Sequence, residues 1–570
     1  MNQSASDLPK DIPDFSKLDF ELLPTADFAA LTRELARQFS HREEAESTKD
    51  KLLLIHEQIL LRQSVLAYHK IEQALDPKKT EVESESSAAK ISLTACLNES
   101  HSAKSLVYEA VATVPLESME ASAEDRDLAS RAWRWRKFEQ AVPAELLQRE
   151  QELKQAISSL CPRIYRILAQ QGLNYLPQDQ GSEEKREIFF QTLKQELAAK
   201  EEERERLLLE LFSVRAEIAH CCCYENYSTY HEARRGERSF SREQERSFLS
   251  SYLRQFGPLR DEINLLREQR FSRELSRWQD FFLISPKGQI PWYLSQAEAI
   301  RLFNESLIDL TGHEDHILLS LLRQGYVCYQ GKVHEQLSSS TLLPSVPAAF
   351  ICLPLDSPYR GLAHSFYACG EALADLSSLL NYHVLGASSQ DAYSKAISGY
   401  CFLALSESLA GAFYPKNSEY AYDLAWTERF LAGFLRLATY ELEHYLYNQK
   451  ELPTVEAIDA FWQLQLESYL PGINLDQIDP KELRLSWHYA LSLATEAYQS
   501  LAEAMALVTV LAEQPRRHAN SLLSSKLNSY LMTNPGSKIL ARLNAAGLEA
   551  PIYDRSIEAA AFALCDILEL

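Results

Sequence analysis

Glycine and proline, the residues that interrupt regular structure, are scarce in this chain: 17 and 22 among 570 residues. Together with long segments of helical periodicity, that shortage points to a mainly α protein. Long apolar runs are missing too. No stretch of about 18 apolar residues occurs, so no membrane-spanning helix is expected. The opening MNQSASDLPKDIPDF is polar and lacks a basic-then-apolar pattern, which argues against export by a simple signal peptide. Positive charge is short: 58 Lys and Arg stand against 80 Asp and Glu, a formal charge of −22. Such a surface repels phosphate backbones, so neither a nucleic-acid nor a membrane partner is expected. The ten cysteines are scattered, the pattern of reduced thiols, and a cytoplasmic location is the expectation. Cys221, Cys222 and Cys223 are adjacent. Neighbours on a helix point in different directions, so these read as small buried residues near a helix end rather than one metal site.

What is present is apolar mass. Hydrophobic residues make up 46%, and the length implies two or more subdomains. Residues 1–26 read as a polar arm and 27–188 as an N-terminal helical region, with 76–103 either a loop or a weakly amphipathic helix. Pro143 to Gln171 reads as a helix, as do Ser182 to Cys223 and Asp261 to Trp278. The EEERER run from Glu201 reads most simply as a solvated face. Tyr326 to Ile351 has the character of a small sheet. Further helices are expected over Trp426 to Asn448, Thr454 to Tyr469 and Pro480 to Glu513, with Thr454 as a cap. Asn534, Pro535 and Gly536 mark a break, and the last helix starts near Ser556.

The chain is organised around Arg360 to Tyr382, RGLAHSFYACGEALADLSSLLNY. Its apolar residues Leu362, Phe366, Cys369, Leu373, Leu376 and Leu380 fall in steps of three and four, the mark of a helix with one buried face. A second face carries His364, Ala368, Glu371 and Asp375. In zinc peptidases with a His-Glu-x-x-His helix, two imidazoles one turn apart hold the metal and the Glu is general base. Here that slot reads His364-Ser365-Phe366-Tyr367-Ala368. The first donor is present, and Ser365 and Ala368 replace the base and the second donor.

Several stretches together resemble the M3 family of zinc oligopeptidases, in its oligoendopeptidase F branch. They are RAEIAHCCCYENYSTY from Arg215, RWQDFFLI around Trp278, LSSSTLLPSVPAAFICLPLDSPYRGLAH ending at His364, and GFLRLATYELEHYLYNQKELPT from Gly433. The resemblance covers 189–570. It implies a zincin-like, mainly α fold: helical subdomains around a deep channel, with a small β-sheet near the active-site helix. It also implies that the family's third ligand, a Glu, falls at Leu405 within FLALSES. The substrate-contacting segment falls at His488 and Tyr489 through Tyr498. His364 is then the one surviving family ligand, and no bound metal or other cofactor is expected.

Two functions follow as expectations. The first is an M3-like protein that is catalytically inactive and keeps a channel for a peptide or protein partner. The alternative is an active metal-dependent oligoendopeptidase with zinc held by displaced ligands. For that, Cys369, Glu371, His383 and Glu407 are the nearest donors. Glu371 lies about 10 Å along the axis from His364, too far for easy shared coordination. Ser365 has no convincing His/Asp partner and reads as a tolerated replacement, not a nucleophile. His313 and His316, in TGHEDH, read as a polar helix start.

Overall fold

The computed structural model describes residues 30–33, scattered positions within 54–67, 103–108 and 132–139, then 140–160, 183–235, 240–275, 280, 327–329, 340–343, 348–353, 360–381, 392–407, 418–449, 451–475, 478–488, 497–513, 520–533 and 537–568. The helices are α1 (Ala144–Ser159), α2 (Glu183–Ala198), α3 (Glu201–Cys221), α4 (Tyr227–Arg235) and α5 (Arg242–Phe271). A sheet of β1 (Val327–Tyr329), β2 (Ser340–Leu343) and β3 (Ala348–Leu353) follows. Then come α6 (Arg360–Asn381), α7 (Ala392–Glu407), α8 (Ser418–Asn448), α9 (Val455–Tyr469), α10 (Pro480–His488), α11 (Gln499–Ala512), α12 (Asn520–Met532), α13 (Ile539–Ala546) and α14 (Asp554–Leu568).

The fold is mainly α, as the periodicity requires. On α6, Phe366, Cys369, Leu373 and Leu376 are all buried, so the apolar stripe read from the sequence is the packed face. The sheet forms where the β-rich stretch predicts it. Its order is β1-β3-β2, with β3 parallel to β1 and antiparallel to β2. Strands β2 and β3 pack on α6. Thr454 caps α9 by accepting the Ala457 N–H (3.3 Å), as expected. At α5, Ser241 and Gln244 form a reciprocal capping box.

Helices α6 and α7 form an antiparallel pair at the centre. A Cβ on Gly370 would lie 2.7 Å from the Gly399 Cα, and Lys395 Nζ meets Asp375 at 2.9 Å. Five residues forward on α6 therefore correspond to four back on α7. Helix α11 packs on α7, α8 and α14 and completes the core.

Three local expectations need correction. Ser182 to Cys223 is two helices: the chain breaks at Lys200 (φ −121°), and Glu201, Glu202 and Glu203 then complement the positive end of α3. Pro480 to Glu513 is also divided, because Tyr498 sits at φ 65° ahead of α11. Its N–H donates to the Glu443 carboxylate (2.8 Å) instead of to a helical carbonyl. Cys221 and Cys223 are exposed, not buried, because α3 ends there and Cys223 turns left-handed (φ 62°). His313, His316, His383, Tyr489, residues 1–26 and 534–536 lie outside the described residues.

Candidate functional site

The α6/α7 pairing fixes the register of the residues singled out by the motif. Stepping six residues back from Gly370 reaches His364, and six forward from Gly399 reaches Leu405. His364 and Leu405 are therefore level with each other across the pair. His364 is half-buried, whereas Ser365 is 0% exposed, Ala368 2% and Leu405 3%.

Catalytic zinc requires three side-chain donors and an open position. At this level of the helix pair, Ala368 offers a methyl group and Leu405 a hydrocarbon chain, neither with a lone pair. Among the described residues, no group of three or more His, Cys, Asp or Glu side chains is placed to hold a metal ion. Those residues do not fit zinc. Ser365, sealed in the packed interior, is no base for an attacking water. Of the alternative donors, the thiol of Cys369 is pushed above its usual range by burial, which opposes the thiolate that a metal needs.

One side of α6 is less enclosed. His364, Tyr367 and Glu371, in steps of three and four, are all half-buried, while their neighbours are buried. Helix α8 supplies the facing polar stripe: Arg429, Arg436, Tyr440 and His444 at spacings of seven, four and four. The Arg429 guanidinium lies over the Tyr367 ring (4.0 Å) and near Tyr400 (5.4 Å). Arg436 pairs with Glu503 of α11 (2.5 Å) and donates to the Tyr400 hydroxyl (3.4 Å). Burial, the neighbouring Tyr400 and the carboxylates of Glu503 and Glu371 push the Tyr367 hydroxyl well above the usual tyrosine range.

Further along α8 the stripe reaches a small recess lined in part by Ser228, Arg242, Glu245, Tyr440, His444 and Tyr498. Arg242 Nε donates to His444 Nε2 (2.9 Å), so that nitrogen is an unprotonated acceptor. Burial, then Arg242 and Arg246, lower the His444 pKa to about 4. Tyr440 donates to Glu245 (2.8 Å). Tyr498 rests edge-on to Tyr440 (5.5 Å) and Tyr447 (6.0 Å). A bulky residue held left-handed is strained, and the Glu443 acceptor and the aromatic packing hold it there.

The structure does not place His488 with Tyr498 in this recess. His488 is 0% exposed at the end of α10, beside Trp487 (4.1 Å) and α3. Its carbonyl accepts from Arg204 Nε (2.6 Å), and Nε2 is 3.5 Å from a Glu205 oxygen. Burial, then Arg204 and Arg484, lower its pKa to about 3, so the imidazole is neutral. Arg429 and Tyr367 went unnoticed as site residues in the sequence. The available signal was an arginine pair seven apart, two turns of one helix face.

No family model and no curated protein matches this sequence. Solved structures do match its fold. PZ peptidase A, in complex with an inhibitor, superposes with TM-score 0.82 over 97% of this chain and 99% of its own, at 14% identity. A Bacillus anthracis protein assigned as an oligoendopeptidase F gives 0.77 over 97% and 98%, also at 14%. The oligoendopeptidase-F of Enterococcus faecium gives 0.57 over 95% and 97%, at 12%. The fold is therefore the mainly α, M3 peptidase-like one. Within it, this chain resembles the oligoendopeptidase F structures along nearly its whole length.

Proposed function

We propose that this chain is a catalytically disabled protein of the oligoendopeptidase fold that keeps a peptide- or protein-binding channel. One observation carries the reading. Counted along the α6/α7 register, Leu405 stands at about the level of His364, and a hydrocarbon there supports the reading because a metal site would need a donor. With Ala368 one turn on from His364 and Ser365 buried, the motif positions offer neither a second ligand nor a base. The half-buried His364, Tyr367 and Glu371 of α6, with the half-buried Arg436 and His444 of α8, offer side chains against which an extended peptide can lie. The proteins that share the fold carry peptidase names, which makes a peptide or an unfolded segment the natural occupant.

The test is incubation with short fluorogenic peptides in the presence of zinc, cobalt or manganese, alongside binding of uncleaved peptides by calorimetry. Binding without turnover is expected. Metal-dependent cleavage abolished by His364→Ala would replace this reading with an active peptidase that uses displaced ligands.

A further inference from the structure

Several other buried guanidinium groups among the described residues donate to polar partners, although Arg204 Nη2 is itself left without one. Arg204 donates to the carbonyls of His488 and Ile157, Arg215 to Glu150, Arg260 to the Tyr469 carbonyl, and Arg542 to Ser394. Arg429 differs. It is 8% exposed, its Nε is sealed from solvent without a hydrogen-bond partner, and among the described residues no carboxylate pairs with it. Its companions are two aromatic faces, Tyr367 at 4.0 Å and Tyr400 at 5.4 Å from the ring centroids. Stacking orients a guanidinium but does not neutralise it. A buried cation without a counter-charge is costly, and arginine does not escape by losing its proton.

We propose that Arg429 is the anchor of a carboxylate-binding subsite on the channel face beside His364, with Tyr367 and Tyr400 as its aromatic bed. The subsite takes an acidic side chain or the free C-terminus of a bound peptide. It rests on the reading that the channel takes peptides, and it names what they must carry.

Three features favour this ligand. Tyr367 lies three residues after His364 on the less enclosed side of α6, so Arg429 sits next to the accessible face. Arg436, two turns further along α8, is already engaged by Glu503 and Tyr400, which leaves Arg429 to receive an incoming anion. The carboxylates that act on Tyr367, Glu371 and Glu503, disfavour a multiply charged group, as does the net charge of −22. A singly charged planar carboxylate matches the guanidinium fork and meets the least repulsion.

The experiment uses the full chain and three peptides of one sequence: a doubly capped peptide with one glutamate, its glutamine counterpart, and the glutamine peptide with a free C-terminal carboxylate. Binding is measured by calorimetry for the wild type, Arg429→Gln and Arg429→Lys. At least one carboxylate peptide should bind about tenfold tighter than the capped glutamine peptide. Arg429→Gln should abolish that preference and Arg429→Lys keep part of it. The glutamine variant should melt no lower than the wild type, since it removes an unpaired buried charge. Which carboxylate is preferred separates side chain from C-terminus. Equal binding of all three peptides overturns the subsite and leaves the channel reading standing. A preference that survives Arg429→Gln overturns it as well, and failure of every peptide to bind overturns both.

Discussion

Gly370 of α6 lies against Gly399 of α7 so closely that a Cβ on Gly370 would fall 2.3 Å from the Ser398 carbonyl oxygen and 2.7 Å from the Gly399 Cα. Both obstacles are backbone, which cannot swing aside. Gly370→Ala should therefore destabilise the protein by about 3 kcal/mol in urea unfolding, the upper range for overpacking a core. Gly257→Ala is the control: a Cβ there meets only Arg260 Nη2, at 4.0 Å. It should be neutral or stabilise by up to about 1 kcal/mol, the entropy gained on removing a helical glycine. Equal behaviour of the two variants would show that the helices are not this close, and the register of His364 with Leu405 would fail with them.

That register makes a second prediction. If Ala368 and Leu405 stand where donors would complete a metal site, restoring donors there should restore metal. The triple variant Ser365→Glu, Ala368→His, Leu405→Glu should purify with about one zinc per chain after zinc exposure, the three ligands being two His and one Glu. The parent should take up none at the same free zinc. A triple variant that folds and still takes up none would mean that these positions do not converge.

The visible part of the site in the sequence was α6, because period and burial coincide there. Phe366, Cys369, Leu373 and Leu376 repeat at helical spacing, and all are buried. The sheet before it and the Thr454 cap were legible for similar local reasons. Other features are set by contacts distant in sequence. Nothing in LATEAYQSLA marks Tyr498 as left-handed; the cause is Glu443, 55 residues earlier. Arg429 beside Glu428 reads as one more charge on a helix, and only the packing of α8 against Tyr367 reveals it as buried and unpaired. The glycine pair was readable in principle, since glycine is rare here and these two stand inside helices.

Acid should weaken the fold through its buried imidazoles. His488 and His444 have pKa values lowered from 6.5 to about 3 and about 4, chiefly by burial. Between the folded and unfolded values the unfolded chain binds more protons, so stability rises with pH there and is lost as pH falls through that window. His488→Leu removes one of these sites. Relative to wild type, its thermal midpoint should be more favourable at about pH 4.5 than at about pH 7.5. A pH-independent difference between the two proteins would contradict a neutral, buried His488.

Arg215 and Glu150 form a buried ion pair (3.1 Å) that links α3 to α1, with Tyr447 of α8 as a further partner of the guanidinium. Glu150→Leu should cost about 3 kcal/mol, because it leaves the arginine without its counter-charge. The double variant Glu150→Leu, Arg215→Met should recover a good part of that loss in chemical denaturation. A double variant no more stable than the single one would place the energy in packing rather than charge.

The most direct measurement of the central claim is turnover of a fluorogenic peptide set by the purified full chain in excess zinc, with His364→Ala as the control. The account predicts no zinc-dependent cleavage above background and no difference between the two proteins. Cleavage that requires zinc and disappears with His364→Ala would contradict it.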